Sequence, residues 1–247
     1  MSTLKRVLWC ITGAGGHLRD VFQALRDLRR AGGFELGVAL SRAGEEVARI
    51  YGVLDRLDTV ASGGRYGGVY KRATWSGVTE NGVPLGGRVS LRRYDVVIVA
   101  PASSNTVAKI VHGVSDTLPT IVVSQALKAR VPVLILPADQ EETVTTLPCR
   151  IDNSACTYCL RCVEACPHNA VYDLPQEREV RIDYNRCRGC GECMAVCKPG
   201  AIRCWEKVTV TPSPIDLENV ERLRKVQVRV VRRVDELVEE LKSLLGL

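Results

Sequence analysis

Aromatic residues and histidine are scarce in this 247-residue chain: Phe, Trp and Tyr together make up 5% of it, and histidine occurs three times. No apolar run reaches the roughly 18 residues that a membrane span needs, and the opening Met-Ser-Thr-Leu-Lys-Arg carries no signal-peptide cleavage pattern. We therefore expect a soluble, cytoplasmic protein that does not associate with membranes. The 34 basic residues outnumber the 28 acidic ones, but they are dispersed and lack interleaved aromatics, which disfavours nucleic-acid binding.

Cysteine, in contrast, is abundant, and eight of the eleven cysteines fall into two nearly identical runs. Each run has three cysteines separated by two residues, then a fourth that precedes a proline closely. Three such thiolates on a tight loop can bind one face of an iron–sulfur cubane, while the fourth reaches the other cluster. We therefore predict two [4Fe-4S] clusters, with Cys156, Cys159, Cys162 and Cys197 holding cluster one and Cys187, Cys190, Cys193 and Cys166 holding cluster two.

Two alternatives to clusters are a zinc site and a disulfide framework. Zinc sites use four ligands and rarely include a third cysteine at the same interval followed by Cys-Pro. Cluster cysteines must stay reduced until they are loaded, which agrees with a reducing cell interior. Three cysteines remain outside the runs: we expect Cys10 and Cys204 to be small core or border residues, and no ligand position is left for Cys149.

The first half of the chain alternates short apolar runs with helical patterns, which predicts an α/β fold with a doubly wound parallel sheet. Strands are expected at residues 6–11, 35–40, 95–100 and 131–137, the last two as buried central strands. The glycine-rich segment 61–93 is expected to form a long excursion or a β-hairpin with a turn at Asn81-Gly82, either as a solvated or intersubunit loop or beside a substrate pocket.

The last 40 residues alternate and then repeat at helical spacing, so they need a core that a small cluster module cannot supply. We therefore predict a larger domain formed by residues 1–148 plus 208–247, with the cluster module, residues 149–207, as an α+β ferredoxin-like insertion.

Two turns of the larger domain suit a phosphate-bearing ligand. Residues 12–17, Thr-Gly-Ala-Gly-Gly-His, follow the first strand and precede a helix, so backbone N–H groups can approach a phosphate there, although a plain tight turn is the alternative. Residues 101–106, Pro-Ala-Ser-Ser-Asn-Thr, follow a buried strand and open another helix. Ligands of open α/β sheets bind at this carboxyl edge.

The segment 100–118, A-P-A-S-S-N-T-V-A-K-I-V-H-G-V-S-D-T-L, closely resembles the motif of the flavoprotein family that includes phosphopantothenoylcysteine decarboxylase, peptide cysteine decarboxylases and flavin prenyltransferase. Residues 39–44 resemble that family's second phosphate-contacting turn. The resemblance implies a Rossmann-like (flavodoxin-like) domain that binds FMN, often between subunits of a trimer. It places around the FMN the residues Gly13, Ala14, Gly15, Gly16, Ser41, Ser103, Ser104, Asn105 and Thr106. Helix capping is the alternative role for Ser103 and Ser104.

The sequence departs from the decarboxylases of that family in two places. Their catalytic histidine has no counterpart, since residues 41–100 contain no histidine, and the later turn reads Pro137-Ala138-Asp139 instead of Pro-Ala-Met-Asn. Decarboxylation is therefore disfavoured. A flavin domain with a two-cluster unit resembles instead the dihydromethanopterin reductases (acceptor) and related archaeoflavoproteins.

That resemblance implies a homo-oligomeric, trimer-based oxidoreductase. Electrons would pass from a low-potential donor, a ferredoxin or similar protein, through the clusters to FMN and on to the C=N bond of a pterin, with dihydromethanopterin as the expected substrate. Asn105 and Asp139 are the candidate catalytic residues. The alternative is an electron-transfer flavoprotein that relays electrons to a protein partner and has no substrate of its own.

Overall fold

The computed structural model describes residues 4–71 and 84–247. Five strands between residues 5 and 137 lie in one sheet, and every pairing between them is parallel. The apolar side chains of the four longer strands are almost completely buried, as expected for strands that are covered on both faces, whereas those of the short edge strand are half-buried. The five strands are β1 (Lys5–Ile11), β2 (Phe34–Leu40), β3 (Val69–Tyr70), β4 (Val96–Ala102) and β5 (Val133–Pro137).

Helices cover both faces of this sheet. Because successive side chains of a strand point to opposite faces, Val7, Trp9 and Ile11 pack with one set of helices and Leu8 and Cys10 with the other. The first face carries α1 (Leu18–Ala31), α2 (Arg42–Ile50) and a 3₁₀-helix (Leu54–Thr59). The second face carries α3 (Leu85–Ser90), α4 (Ser104–Val111) and α5 (Leu118–Ala129).

A two-stranded antiparallel ribbon leads from the sheet to the cysteine-rich segment. β6 (Thr143–Thr146) pairs with β11 (Lys207–Val210), and β7 (Arg150–Ile151) pairs with β10 (Ile202–Arg203). Between these two ladders, Leu147 exchanges backbone hydrogen bonds of 2.9 Å with Trp205 and Glu206. The predicted module boundaries at 148/149 and 207/208 fall inside this ribbon, which we call the neck (residues 143–151 and 202–210).

The cysteine-rich segment beyond the neck has a small core of its own. It contains a β-hairpin and two one-turn helices, and its buried side chains are mostly cysteine thiols and short aliphatic groups. The elements are α6 (Arg161–Glu164), β8 (Val171–Leu174), β9 (Glu179–Ile182) and α7 (Glu192–Ala195).

After the neck, the chain returns to the parallel sheet. α8 (Pro214–Leu223) packs on the second face, β12 (Arg229–Val230) pairs in parallel with β5, and α9 (Val234–Leu245) packs on the first face. The complete strand order is β3-β2-β1-β4-β5-β12, with the direction of winding reversed between β1 and β4. A ligand crevice is expected at that reversal, outside the carboxyl ends of β1 and β4.

Two sequence predictions are corrected. The described parts of residues 61–93 form the parallel edge strand β3 and helix α3, not the two arms of a hairpin, and the expected turn at Asn81-Gly82 lies outside the described residues. Cys204 is not a simple border residue, because it forms a disulfide with Cys149. In the described ranges, no helix is long and apolar enough to cross a membrane.

Candidate functional site: a flavin pocket joined to two cysteine clusters

A pocket of about 320 Å³ opens at the carboxyl ends of β1 and β4, where the winding reverses. Its volume is within the range of small-molecule and cofactor sites. Most of the residues predicted to bind FMN line it, together with the candidate Asp139. The lining consists of Gly13, Ala14, Gly15, Gly16, Ser103, Ser104, Asn105, Ala138, Asp139, Thr143, Thr145 and Val210.

The glycine-rich turn needs glycine because neighbouring groups leave no room for a side chain at two of its positions. A Cβ on Gly13 would lie 2.9 Å from the Ala43 Cβ, and a Cβ on Gly15 would lie 2.3 Å from the ring of Tyr51. Beneath the turn, a Cβ on Gly44 would lie 2.3 Å from the Ile11 carbonyl oxygen. The turn therefore packs directly on the start of α2, and its N–H groups lie at the ends of two helices, where an anion is favoured.

Thr12, which sequence reasoning overlooked, fixes the two ligand turns relative to each other. Its buried hydroxyl donates a 2.7 Å hydrogen bond to the Pro101 carbonyl and accepts a 2.8 Å hydrogen bond from the Ser103 N–H. A buried hydroxyl that is fully satisfied in this way holds the ends of β1 and β4 together. A threonine at the end of a buried strand was the available signal.

The hydroxyls of the second turn divide between capping and the pocket. Ser103 caps α4 by accepting from the Thr106 N–H, and the buried Thr106 hydroxyl lies 3.1 Å from that of Ser103. Ser104 instead donates a hydrogen bond to the Asp139 carboxylate across the pocket, and Asn105 is exposed at the rim. The structure thus brings Ser104, Asn105 and Asp139 together.

Ser41 and Thr106 are predicted FMN contacts that do not line the pocket. Ser41 caps α2, accepting a 2.9 Å hydrogen bond from the Gly44 N–H, and its own N–H donates to the Ile11 carbonyl. Both side chains therefore organise the helices that open at the pocket. His17 lies to one side, at a neighbouring cavity of about 370 Å³ that Arg19, Asp20 and Arg56 also line.

The neck supplies the wall of the pocket that sequence reasoning missed. Thr143 and Thr145 of β6 and Val210 of β11 face the glycine turn and Asp139. The sequence of β6, Thr-Val-Thr-Thr, is an ordinary strand pattern that contains no known ligand-binding motif. The neck therefore forms part of the pocket predicted to bind FMN and also carries the cysteine-rich module.

The four predicted ligands of cluster one lie around a single small cavity in the module. Apolar side chains such as Leu160, Val196 and Ile202 also line it. Burial raises the pKa of Cys162, and the nearby Cys156 and Cys197 thiols raise it further. Such a set of mutually repelling, soft sulfur donors suits a cationic iron–sulfur core. The residues are Cys156, Cys159, Cys162 and Cys197.

The four predicted ligands of cluster two also lie together. Burial raises the pKa of Cys193 to about 11, with smaller contributions from the Cys187, Cys190 and Cys166 thiols. The same neighbours, Cys190 and Cys166, raise the pKa of Cys187 after burial, the largest cause. The fourth cysteine of the first run thus lies among the first three of the second, as bridging between two clusters requires.

The loop between Cys187 and Cys190 docks against the flavin domain. Gly189 adopts φ +60°, and a Cβ there would lie 2.3 Å from the Ile50 carbonyl oxygen and 3.1 Å from the Trp205 ring. A Cβ on Gly52 would meet the carbonyl oxygens of residues 188 and 189 at 3.2 and 3.3 Å. Backbone contacts backbone here, so of the two clusters, cluster two lies against the flavin domain.

Two aromatic side chains join this docking loop to the glycine turn. The Trp205 ring, in contact with Gly189, lies 5.7 Å from the Tyr51 ring, and Arg19 stacks over Trp205 at 4.4 Å. Tyr51 contacts Gly15 and donates a 2.7 Å hydrogen bond to the Thr146 carbonyl of the neck. A continuous line of contacts, which we call the aromatic bridge (Trp205 and Tyr51), therefore connects cluster two to the flavin pocket.

The fold and these sites define a Rossmann-like flavin domain joined to a two-cluster iron–sulfur module. Residues 1–148 match the family described as Flavoprotein, and residues 148–198 match the 4Fe-4S dicluster domain. The chain belongs to the Flavoprotein family.

Relatives with the same combination of domains carry a reductase name. Dihydromethanopterin reductase (acceptor) of Methanosarcina mazei is 37% identical over 97% of this chain and 99% of its own length. A protein of the same name from Methanocaldococcus jannaschii is 38% identical over 67% of both chains. The crystal structure of Burkholderia xenovorans DmrB in complex with FMN, described as a cubic protein cage for redox transfer, superposes over 100% of both chains with a TM-score of 0.62 and 28% identity.

These findings confirm the class of protein and the cofactors that were predicted from the sequence. The chain is an iron–sulfur flavoprotein oxidoreductase whose cofactors are FMN and two [4Fe-4S] clusters.

Proposed function

We propose that this protein takes electrons one at a time from a low-potential donor and uses them to reduce the C=N bond of a dihydropterin, dihydromethanopterin. The observation that carries the proposal is the neck, which walls the pocket and, through Trp205, contacts the loop of predicted cluster-two ligands that docks on the same domain. The reductase name of the Methanosarcina mazei relative, which aligns over nearly the whole chain, supports the choice of substrate.

The order of the clusters follows from the docking contacts. Cluster two lies beside the aromatic bridge, so we propose that it is the exit of the module. The ligands of cluster one form the other cysteine group, and with cluster two as the exit, cluster one would receive electrons from the donor. The donor would be a ferredoxin or a similar small electron carrier.

FMN, when bound, supplies the conversion between one-electron and two-electron chemistry and the hydride for the pterin. Reduction of a C=N bond adds that hydride to carbon and a proton to nitrogen, so the pocket needs a proton donor. Asp139 is the carboxyl group at the pocket, and the Ser104 hydroxyl fixes its orientation. We propose that Asp139 delivers the proton, and that Asn105 at the rim orients the pterin.

Single-turnover experiments test this function. The cluster-loaded protein with FMN is reduced anaerobically and mixed with dihydromethanopterin, while flavin absorbance and tetrahydromethanopterin formation are recorded. Asp139→Asn should slow pterin reduction by about 10²- to 10⁴-fold while FMN still binds. Asp116→Asn is the matched control, since that carboxylate pairs with Lys109 at the far end of α4. If the pterin leaves the reduced flavin unchanged while an electron-accepting protein oxidises it, the protein is an electron carrier.

We also propose a homo-oligomer built from trimers. The Burkholderia relative is described as a cage, and α8 exposes two large apolar side chains, Ile215 (65% exposed) and Leu217 (41%), near the pocket. Large apolar side chains that are exposed on one helix are candidates for an interface. Light scattering of the loaded protein should give a mass that is a multiple of three chains, and Ile215→Lys with Leu217→Lys should lower it.

A further inference from the structure

Cys149 and Cys204 face each other across the neck. The ladder of β7 and β10 pairs Ile151 with Ile202 and Arg150 with Arg203, so the next pair in register is Cys149 and Cys204. The two form a disulfide, with their Cα atoms 3.8 Å apart. Neither cysteine belongs to the cluster runs.

The disulfide lies directly beside a predicted cluster ligand. The Sγ atoms of Cys149, Cys204 and Cys193 all lie within 4.8 Å of one another. Cys193 is in the group assigned to cluster two, so the sulfur pair is separated from that cluster by a single thiolate. Such a separation allows electrons that reach cluster two to pass to the disulfide.

In the folded protein, the two strands of the neck are held together without the Cys149–Cys204 disulfide. The two strands of the neck are already joined on one side by the ladder of β6 and β11 and by both backbone hydrogen bonds of Leu147. On the other side they are joined by the ladder of β7 and β10.

The two sulfurs differ in exposure. Cys149 is 2% exposed, and its carbonyl accepts a 2.8 Å hydrogen bond from the Tyr184 hydroxyl. Cys204 is only partly buried, so water can reach it and supply protons. The pair thus has a protected sulfur toward the module and an accessible one toward solvent.

We propose that Cys149–Cys204 is an additional two-electron redox site, reduced through cluster two. The first electron breaks the S–S bond to give one thiolate and one thiyl radical, and the second electron converts the thiyl into a second thiolate. Two protons from solvent complete the two thiols. The reductant is the low-potential one-electron donor that also fills the clusters. The proposal rests on cluster loading and is independent of the pterin.

Thiol labelling of the intact, cluster-loaded protein tests the proposal. The protein is reduced anaerobically with a photoreduced deazaflavin, quenched in acid, alkylated and digested. Peptide mass spectrometry should find Cys149 and Cys204 alkylated after reduction and disulfide-linked before it. In the Cys166→Ser variant, which should lack cluster two, the Cys149–Cys204 disulfide should be reduced much more slowly.

Reductive titration supplies a second readout. The wild type should take up about two more electrons per chain than the Cys149→Ser/Cys204→Ser variant, because a disulfide is a two-electron couple. The proposal is overturned if the pair stays linked when clusters and flavin are fully reduced, or if Cys166→Ser reduces it at the wild-type rate. It is also overturned if both sulfurs are free thiols or metal ligands in the oxidised, loaded protein. Labelling of the wild type decides the matter even if the serine variant does not fold.

Discussion

Replacing Gly15 by alanine should weaken FMN binding, because the new methyl group and the Tyr51 ring cannot occupy the same space. The Cβ would lie 2.3 Å from Cζ and from the hydroxyl oxygen of Tyr51. The ring is held by its hydrogen bond to Thr146 and by its contact with Trp205. Either Tyr51 leaves its position, or the glycine turn moves away from the phosphate.

The cost of the first response limits the total. Losing the hydrogen bond costs about 1 kcal/mol, and losing the ring contact costs about 1 kcal/mol. If moving the glycine turn cost more than this sum of about 2 kcal/mol, Tyr51 would move instead. The loss of FMN binding free energy is therefore at most about 2 kcal/mol, which corresponds to a rise in the FMN Kd of up to about 30-fold. Any part of this cost that does not weaken FMN binding should lower the free energy of unfolding of the variant.

Quenching of FMN fluorescence on titration with apoprotein measures the Kd, and urea unfolding measures the stability. The Gly15→Ala/Tyr51→Ala variant should recover FMN affinity, because the smaller side chain vacates the space, and the double-mutant cycle should show coupling. Gly113→Ala is the control for FMN affinity, since Gly113 lies outside the pocket and its Cβ would have no neighbour within 4 Å. The reasoning is refuted if Gly15→Ala matches the wild type in both assays, or if removing Tyr51 restores nothing.

Three further outcomes follow from the module and the tail. Gly189→Ala should slow oxidation of the clusters by flavin in stopped-flow traces, because its Cβ collides with the Ile50 carbonyl. Gly200→Ala is the control: it has the same left-handed strain of about 1 kcal/mol but no neighbour within 4 Å, so it should not slow this oxidation. Cys166→Ser should remove the electron paramagnetic resonance signal of the docked cluster two and spare cluster one; loss of cluster one alone would contradict the ligand assignment. The hydrogen bond from the Ser213 hydroxyl lowers the pKa of Asp216 below 3.8, so its capping contribution of about 1 kcal/mol is present at neutral pH and is lost as the pH falls through the lowered value. Melting curves of wild type and Asp216→Ala should therefore converge as the pH falls, and a gap that is as large in acid as at neutral pH would count against the cap.

Residues whose role depends on local chemistry could be predicted from the sequence. The repeated cysteine spacing dictates which thiols can share a cluster, and the glycine and serine turns after apolar strands mark the carboxyl edge of the sheet. Those signals depend on residues close together in the chain, so they survive without a structure.

Contacts between distant segments could not be predicted in the same way. Tyr51 and Trp205 are 154 positions apart, and nothing in either surrounding sequence indicates the other. Ser41 shows a second kind of limit. A serine before a helix can cap it, bind a phosphate or do both, and the Gly44 hydrogen bond shows the capping role, which the surrounding sequence alone does not. The Cys149–Cys204 pair became visible only through the register of the neck.

The central claim is that the inserted module delivers electrons to FMN through cluster two. Rapid-freeze electron paramagnetic resonance of the fully reduced protein, quenched at intervals after one equivalent of dihydromethanopterin, tests it most directly. The signal of the cluster that contains Cys193 should disappear first, in step with reoxidation of the flavin, and the signal of cluster one should follow. Loss of cluster one first, or flavin reoxidation that leaves both cluster signals unchanged, would contradict the account.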